Sequence, residues 1–290
     1  MDPLVAKQKM EEQFNWKVLQ KIEFPKVPFV LNAATAVDEL IELCIIDLET
    51  TGLNPTKDKA ISIAAINITY NMTQNNIVSV NEVLEQFQDP NEELTDFIQQ
   101  FTGLTNEQLV GQEFQIPAIK NFIQDKILVS HNVKFDKSFL EQVIGTTKNK
   151  WLCTKDDVQW FTNYHIEAKK LEYIMFKLGW WYETHDAVCD CFALVKLIQV
   201  LSEKGLVDEM LEQANGKFYN VYAYGSPFEI KDDLKNAGFR WNAKQKTWMK
   251  DGLTKEKVEK YLKIMVDLYP NALESCEVEE IDATLRFETL

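Results

Sequence analysis

In the stretch CIIDLETTG, from Cys44 to Gly52, two carboxylates, Asp47 and Glu49, follow an apolar run that otherwise reads as a buried strand. Side chains two apart on a strand share a face, so this pair projects together at the strand's end. Neighbouring carboxylates repel, and burying them without compensation costs on the order of several kcal/mol. A divalent cation supplies the compensation, and Mg2+ and Mn2+ prefer oxygen ligands. A nuclease site holding two such ions roughly 4 Å apart calls for about four acids. Two more stand at element ends. Asp136 lies in SHNVKFD, after the apolar run ILVS, and Asp190 lies in HDAVCD, after His185. The step from His185 into the first turns of a helix can bring it to the same pocket as Asp190. Histidine is suited to take a proton from water near neutral pH. The rival bases are His131, which reads as a structural residue leading into Asn132, and His165, which has no acid at a useful spacing. Cys189 and Cys191 flank Asp190 and read as packing of a buried helix.

The elements that must position these groups alternate. LCIIDLE, the loop TTGLNPTKDK and AISIAAINITYN read as strand, turn and strand. NEELTDFIQQFTG, TNEQLVGQ and IPAIKNFIQDK read as short helices leading to the strand ILVS, and FDKSFLEQVIG as a further helix. HDAVCDCFALVKLIQVLSEKG closes this unit as a helix, with Gly205 as its C-cap. Strands alternating with helices predict an α/β domain over residues 41–205. Ahead of it, residues 1–40 read as a helical and extended lead-in. Residues 206–215 read as a linker, residues 216–268 as a small α+β module, and residues 269–290 as an acidic, loosely ordered tail. In the module, KFYNVYAY reads as a strand, EIKDDLKNAG as a helix, FRWNAKQKTWMK as a hairpin and TKEKVEKYLKIMVDLY as a closing helix with Thr254 as N-cap. Trp180, Trp181 and Tyr182, just before His185, either wall the site or pack in the core.

The 290 residues carry 31 Lys and Arg against 45 Asp and Glu, a net charge of −14. That balance argues against a polyanionic partner until it is divided along the chain. Residues 216–265 hold 11 basic and 6 acidic side chains, or +5, leaving −19 for the remainder. In this basic segment Trp241, Trp248 and Arg240 are candidates for stacking on bases and neutralising phosphates, against the alternative that its aromatics form the module's own core. The five cysteines show no paired spacing, so neither a disulfide framework nor a structural zinc site is expected, and a reducing, cytoplasmic setting fits. No apolar run approaches the roughly 20 residues of a membrane helix, and no membrane partner is expected.

DLETTG, HNVKFD and HDAVCD, in this order and spacing, resemble the three motifs of the DEDDh 3′–5′ exonucleases, a ribonuclease H-like family that includes the epsilon proofreading subunit of bacterial DNA polymerase III. FTGLTNEQL is similar to the family's segment between the first two motifs. The resemblance spans Leu43 to Lys204 and implies a ribonuclease H-like mixed sheet flanked by helices. It further implies that Asp47, Glu49 and Asp190 hold the ion carrying the attacking water, that Asp47 bridges to a second ion, that Asp136 completes the site and that His185 is the base. Thr50, Thr51 and Asn132 would contact the terminal nucleotide. The implied activity is metal-dependent hydrolysis, with two Mg2+ or Mn2+, of a single-stranded DNA 3′ end to nucleoside 5′-monophosphates, alongside a polymerase or another replication or repair protein. An exoribonuclease and a non-catalytic nucleic-acid-binding protein of the same fold are the alternatives. The second need not retain all five groups.

Overall fold

The computed structural model describes residues 3–14, 17–269 and 271–288. The apolar run ending in Asp47 and Glu49 is β1 (Leu40–Thr50). It pairs antiparallel with β2 (Ala60–Asn71), which pairs antiparallel with β3 (Asn76–Phe87). On its other side β1 pairs parallel with β4 (Ile127–Ser130), and β4 pairs parallel with β5 (Trp151–Cys153). A two-residue edge strand, Phe29–Val30, completes the six-stranded mixed sheet beside β3.

Both faces of this sheet are covered, which is why β1 reads as a continuous apolar run and not as an alternation. Leu43 and Ile45 pack on one side against Leu194 and Leu197 of helix α3 (Ala187–Ser202) and Ile174 of α2 (Leu171–Leu178). Cys44, Ile46 and Leu48 face the opposite cluster, with Val133, Phe139 and Leu140 of α1 (Val133–Ile144). By the same alternation Asp47 and Glu49 lie on the α3 face. The register shifts between Glu49 and Thr50, a bulge that bends the strand directly after the second carboxylate. The chain therefore has the expected ribonuclease H-like architecture of a central mixed sheet flanked by helices.

A second, antiparallel sheet follows from β6 (Phe218–Tyr222), β7 (Arg240–Asn242), β8 (Thr247–Leu253) and β9 (Glu277–Ile281), in the order β7-β8-β6-β9. Helix α4 (Lys255–Leu268) packs on it through Val258 and Met265, around Val221, Leu234, Phe239 and Leu253.

Several elements differ from the sequence reading. β3 was not expected, because its apolar residues, Ile77, Val78, Val80, Val83, Leu84 and Phe87, do not alternate with its polar ones. Residues expected as a linker form a helix, Leu206–Ala214, whose Leu206, Val207, Met210 and Leu211 join the main core. Gly205 does not cap the preceding helix. That helix ends at Ser202, and Gly205, at φ +69°, begins the next one. The acidic tail is ordered between residues 271 and 288. Its strand β9 pairs with β6, where Glu279 accepts from the Tyr222 hydroxyl at 2.7 Å and Glu280 pairs with Lys217 at 2.7 Å. The glutamates are cross-strand partners, so their charge marks pairing and not disorder. Beyond it Arg286 is buried in an ion pair with Asp157, and Phe287 sits in the α1-side core of the first domain. Among the described residues no helix is long and apolar enough to cross a membrane.

Candidate active site

Three elements supply one carboxylate cluster. Asp47 and Glu49 come from β1, opposite Ala64 and Ser62 of β2. Asp136 stands in the first turn of α1 and is buried, accepting a short hydrogen bond from the Ser130 hydroxyl at the end of β4. Asp190 stands in the first turn of α3, whose N-cap Asp186 accepts from the Cys189 amide at 2.9 Å. The Tyr182 hydroxyl donates to Asp190 Oδ1 at 2.7 Å, and the His185 backbone N–H donates to Oδ2 at 2.9 Å.

The electrostatics of this cluster are those of uncompensated burial. Burial, reinforced by Asp136, Asp190 and Glu49, lifts the Asp47 carboxyl well above the ordinary aspartate range. Burial and then Asp190 and Asp136 push Glu49 up to about 9. Asp136 is raised by burial to about 7, with the Ser130 hydrogen bond pulling the other way. Asp190 is raised by burial to about 6, opposed by its bonds from Tyr182 and His185. Among the described residues no Lys or Arg forms an ion pair with any of the four. One ligand atom each from Glu49, His185 and Asp190 lie within 4.8 Å of one another. Buried hard-oxygen donors with no protein cation beside them fit a divalent cation of the Mg2+ or Mn2+ kind.

The three histidines are in different situations. His131 has both ring nitrogens engaged, Nδ1 with the Thr154 hydroxyl at 2.8 Å and Nε2 with the Lys169 carbonyl at 2.7 Å. Burial lowers its pKa to about 4, so it is a neutral, locked structural group. His165 terminates a short helix in the left-handed conformation, at φ +55°. His185 reaches the cluster's edge, its ring nitrogens are free of hydrogen bonds to described residues, and burial holds its pKa below the usual histidine value.

The other expected contact residues are placed as follows. Thr50 donates its hydroxyl to the Gly52 carbonyl at 2.5 Å, and the Thr51 hydroxyl accepts from the Lys59 amide at 3.0 Å, so both close the loop after β1. Asn132 Oδ1 accepts from Lys155 at 3.3 Å. Trp241 is 53% exposed, while Trp248 is half-buried against the module's core and meets Trp241 edge-on at 5.8 Å. Arg240 is not a free cation. It pairs at 2.7 Å with Asp251, which also binds Lys134 of the HNVKFD segment and so joins the C-terminal module to the first domain.

Sequence reasoning left Ser130 and Phe101 out of the site and left Tyr182 between wall and core. Ser130 directly precedes the histidine of HNVKFD, and Tyr182 ends the aromatic run before His185. Phe97 and Phe101 stand four apart on the helix Asp96–Thr102, and Phe101 stacks on the His185 ring at 3.8 Å between centroids.

The fold is of the ribonuclease H-like class, and its carboxylate and histidine cluster could hold a divalent cation. The model of the RNase T exonuclease family matches residues 44–198, just over half the chain, and the chain belongs to that family. Among similar proteins, the PolC-type DNA polymerase III of Halalkalibacterium halodurans is 35% identical over 132 residues, covering 42% of this chain and 9% of that protein. The PolC-type DNA polymerase III of Bacillus subtilis is 25% identical over 217 residues, covering 70% of this chain and 14% of that one. The chain thus spans a small fraction of the length of these curated relatives. Among solved structures, the zinc-bound E. coli ExoI–ssDNA complex shares the fold at a TM-score of 0.50 and 14% identity, over 84% of this chain and 63% of that one.

Proposed function

We propose that the protein is a metal-dependent 3′–5′ exonuclease that hydrolyses single-stranded DNA ends to nucleoside 5′-monophosphates. The observation that carries this reading is a cluster of four carboxylates, three of them buried and Asp47 partly so, with no basic partner among the described residues and, at its edge, a histidine whose ring nitrogens no described residue engages. Asp47, Glu49, Asp136 and Asp190 are the residues that would hold two divalent ions. When bound, such ions offset the negative charge that grows on a phosphate under in-line attack and acidify a bound water. His185, neutral near pH 7 because burial disfavours its cation, accepts the proton of the attacking water at a ring nitrogen. The hydrogen bonds from Tyr182 and Ser130 hold Asp190 and Asp136 in place. Thr50, Thr51 and Asn132 line the approach of the terminal nucleotide.

The exonuclease unit runs from residue 41 through the helix Leu206–Ala214, which joins its core, and the basic aromatic module begins at residue 216, takes in β9, and tethers the strand through Trp241 and neighbouring lysines. The similarity to PolC-type polymerases supports a replicative or repair setting with a polymerase as partner. The test is digestion of matched 3′-labelled and 5′-labelled DNA and RNA oligonucleotides with Mg2+, Mn2+ or EDTA. Metal-dependent release of mononucleotides from the 3′ label of DNA is expected. Preferential trimming of RNA would assign the exoribonuclease alternative, and binding without turnover would refute the catalytic reading.

A further inference from the structure

His185 is tightly held at its backbone and held by a single aromatic contact at its ring. Its φ of +65° is a left-handed conformation rare outside glycine and strained for a side chain with a Cβ. The bond from its N–H to Asp190 fixes that backbone. Among the described residues no hydrogen bond reaches either ring nitrogen, in contrast to His131, where both are bonded. A catalytic histidine ordinarily has its tautomer and tilt set by a partner on the second nitrogen. Here the contact that sets the plane of the imidazole is the Phe101 ring, 3.8 Å away between centroids and 29° from parallel.

Phe101 can do this because its helix cannot drift. Thr95 caps the helix Asp96–Thr102 at its N-terminus, and Gly103, at φ +73°, ends it. Ile98, on the adjoining face, packs against Ile61 of β2, Leu94 and Leu109. Phe97 and Phe101 project beside it, more exposed, with Phe97 stacked on Phe101 at 5.7 Å and 20°. The three rings form a column running from solvent, where Phe97 is 69% exposed, to the edge of the carboxylate cluster. An aromatic pair on a capped helix, stacked on an imidazole whose ring nitrogens no described residue bonds, serves the orientation of that imidazole better than it serves the core.

We infer that Phe101 is a positioning residue for His185, holding the imidazole by ring stacking where other enzymes use a hydrogen bond. The inference rests on the proposed role of His185 as base. Phe101 is itself 44% exposed, so its truncation leaves the fold standing. Stacked aromatic pairs contribute about 0.5–1.5 kcal/mol beyond their buried area, equivalent to a factor of roughly 2 to 13 in rate.

The experiment measures kcat and KM on a short 3′-labelled oligonucleotide with Mn2+ for the full chain and for Phe101→Ala, Phe101→Trp, His185→Ala and the double variant Phe101→Ala/His185→Ala. Phe101→Ala is expected to lose kcat about two- to tenfold with KM nearly unchanged, and Phe101→Trp to restore kcat to within about twofold. In the His185→Ala background, removing Phe101 is expected to cost nothing further. An additive loss in the double variant overturns the inference, and so does a raised KM at constant kcat, which would make the column a base-stacking surface. Full activity in His185→Ala instead overturns the underlying assignment of the base.

Discussion

Glu49→Gln tests whether the carboxylate cluster is built for a cation the protein does not itself supply. The substitution keeps the shape of the side chain and removes its charge, and among the described residues Glu49 makes no side-chain hydrogen bond that the amide would break. Burial and the neighbouring acids push the folded-state pKa of Glu49 from 4.5 up to about 9. A carboxyl raised in this way takes up a proton on folding. The metal-free fold is therefore penalised at every pH above the unfolded value, and the penalty grows from pH 4.5 until the folded value is passed near pH 9. At pH 7 it amounts to about 3 kcal/mol, at 1.36 kcal/mol per unit, as a ceiling. In EDTA the variant is expected to melt above the parent, by at most about 10 °C at pH 7, with the gap closing toward pH 4.5 and widening toward pH 9. Saturating Mg2+ reverses the comparison, because the parent gains about 2.7 kcal/mol at a hundredfold excess over its Kd and the variant gains less. Calorimetric scans between pH 4.5 and 9, with EDTA and with Mg2+, make the measurement. A metal-free variant less stable than the parent at pH 8, or equal stabilisation of both proteins by Mg2+, would refute the reasoning.

Asp190→Ala is expected to abolish hydrolysis while leaving far-ultraviolet circular dichroism unchanged, since it removes a proposed metal ligand and relieves repulsion within the cluster. Residual exonuclease activity in the purified variant would exclude that role. Trp241→Ala, at a position 53% exposed, should weaken binding to a long single strand by about 1–3 kcal/mol without shifting the melting midpoint, whereas Phe239→Ala, at 2% exposed, should unfold the module. Fluorescence anisotropy beside a thermal melt separates the two, and unchanged binding in Trp241→Ala would remove it from the strand path. Arg286→Met leaves Asp157 buried without its cation and is expected to destabilise the protein by about 3–5 kcal/mol in a urea titration. A loss below about 1 kcal/mol would mean that the C-terminal segment does not clamp the first domain.

The chain's own order made the chemistry legible. Asp47 and Glu49 had to share a face because a strand repeats every two residues, and their position after a two-sided apolar run placed them at the end of a buried strand. The three motifs likewise sit where strand gives way to turn or helix, a local property that periodicity records. What periodicity does not record is any partner distant in the chain. β3 is legible only once β2 lies beside it, because a strand whose apolar residues do not alternate shows no period and is recognised by its ladder. The helix Leu206–Ala214 resembles a linker until its apolar side meets the main core, and the acidic tail resembles disorder until Glu279 and Glu280 find Tyr222 and Lys217 across the sheet. The same holds within the site. Composition named three histidines, but only the fold bonded both nitrogens of His131 and brought Phe101, 84 residues earlier in the chain, flat against His185. Residue type and spacing set which groups can carry charge or a proton. Long-range packing decides which of them are desolvated, locked or left free, because burial and hydrogen bonding belong to the surroundings of a side chain and not to its place in the sequence.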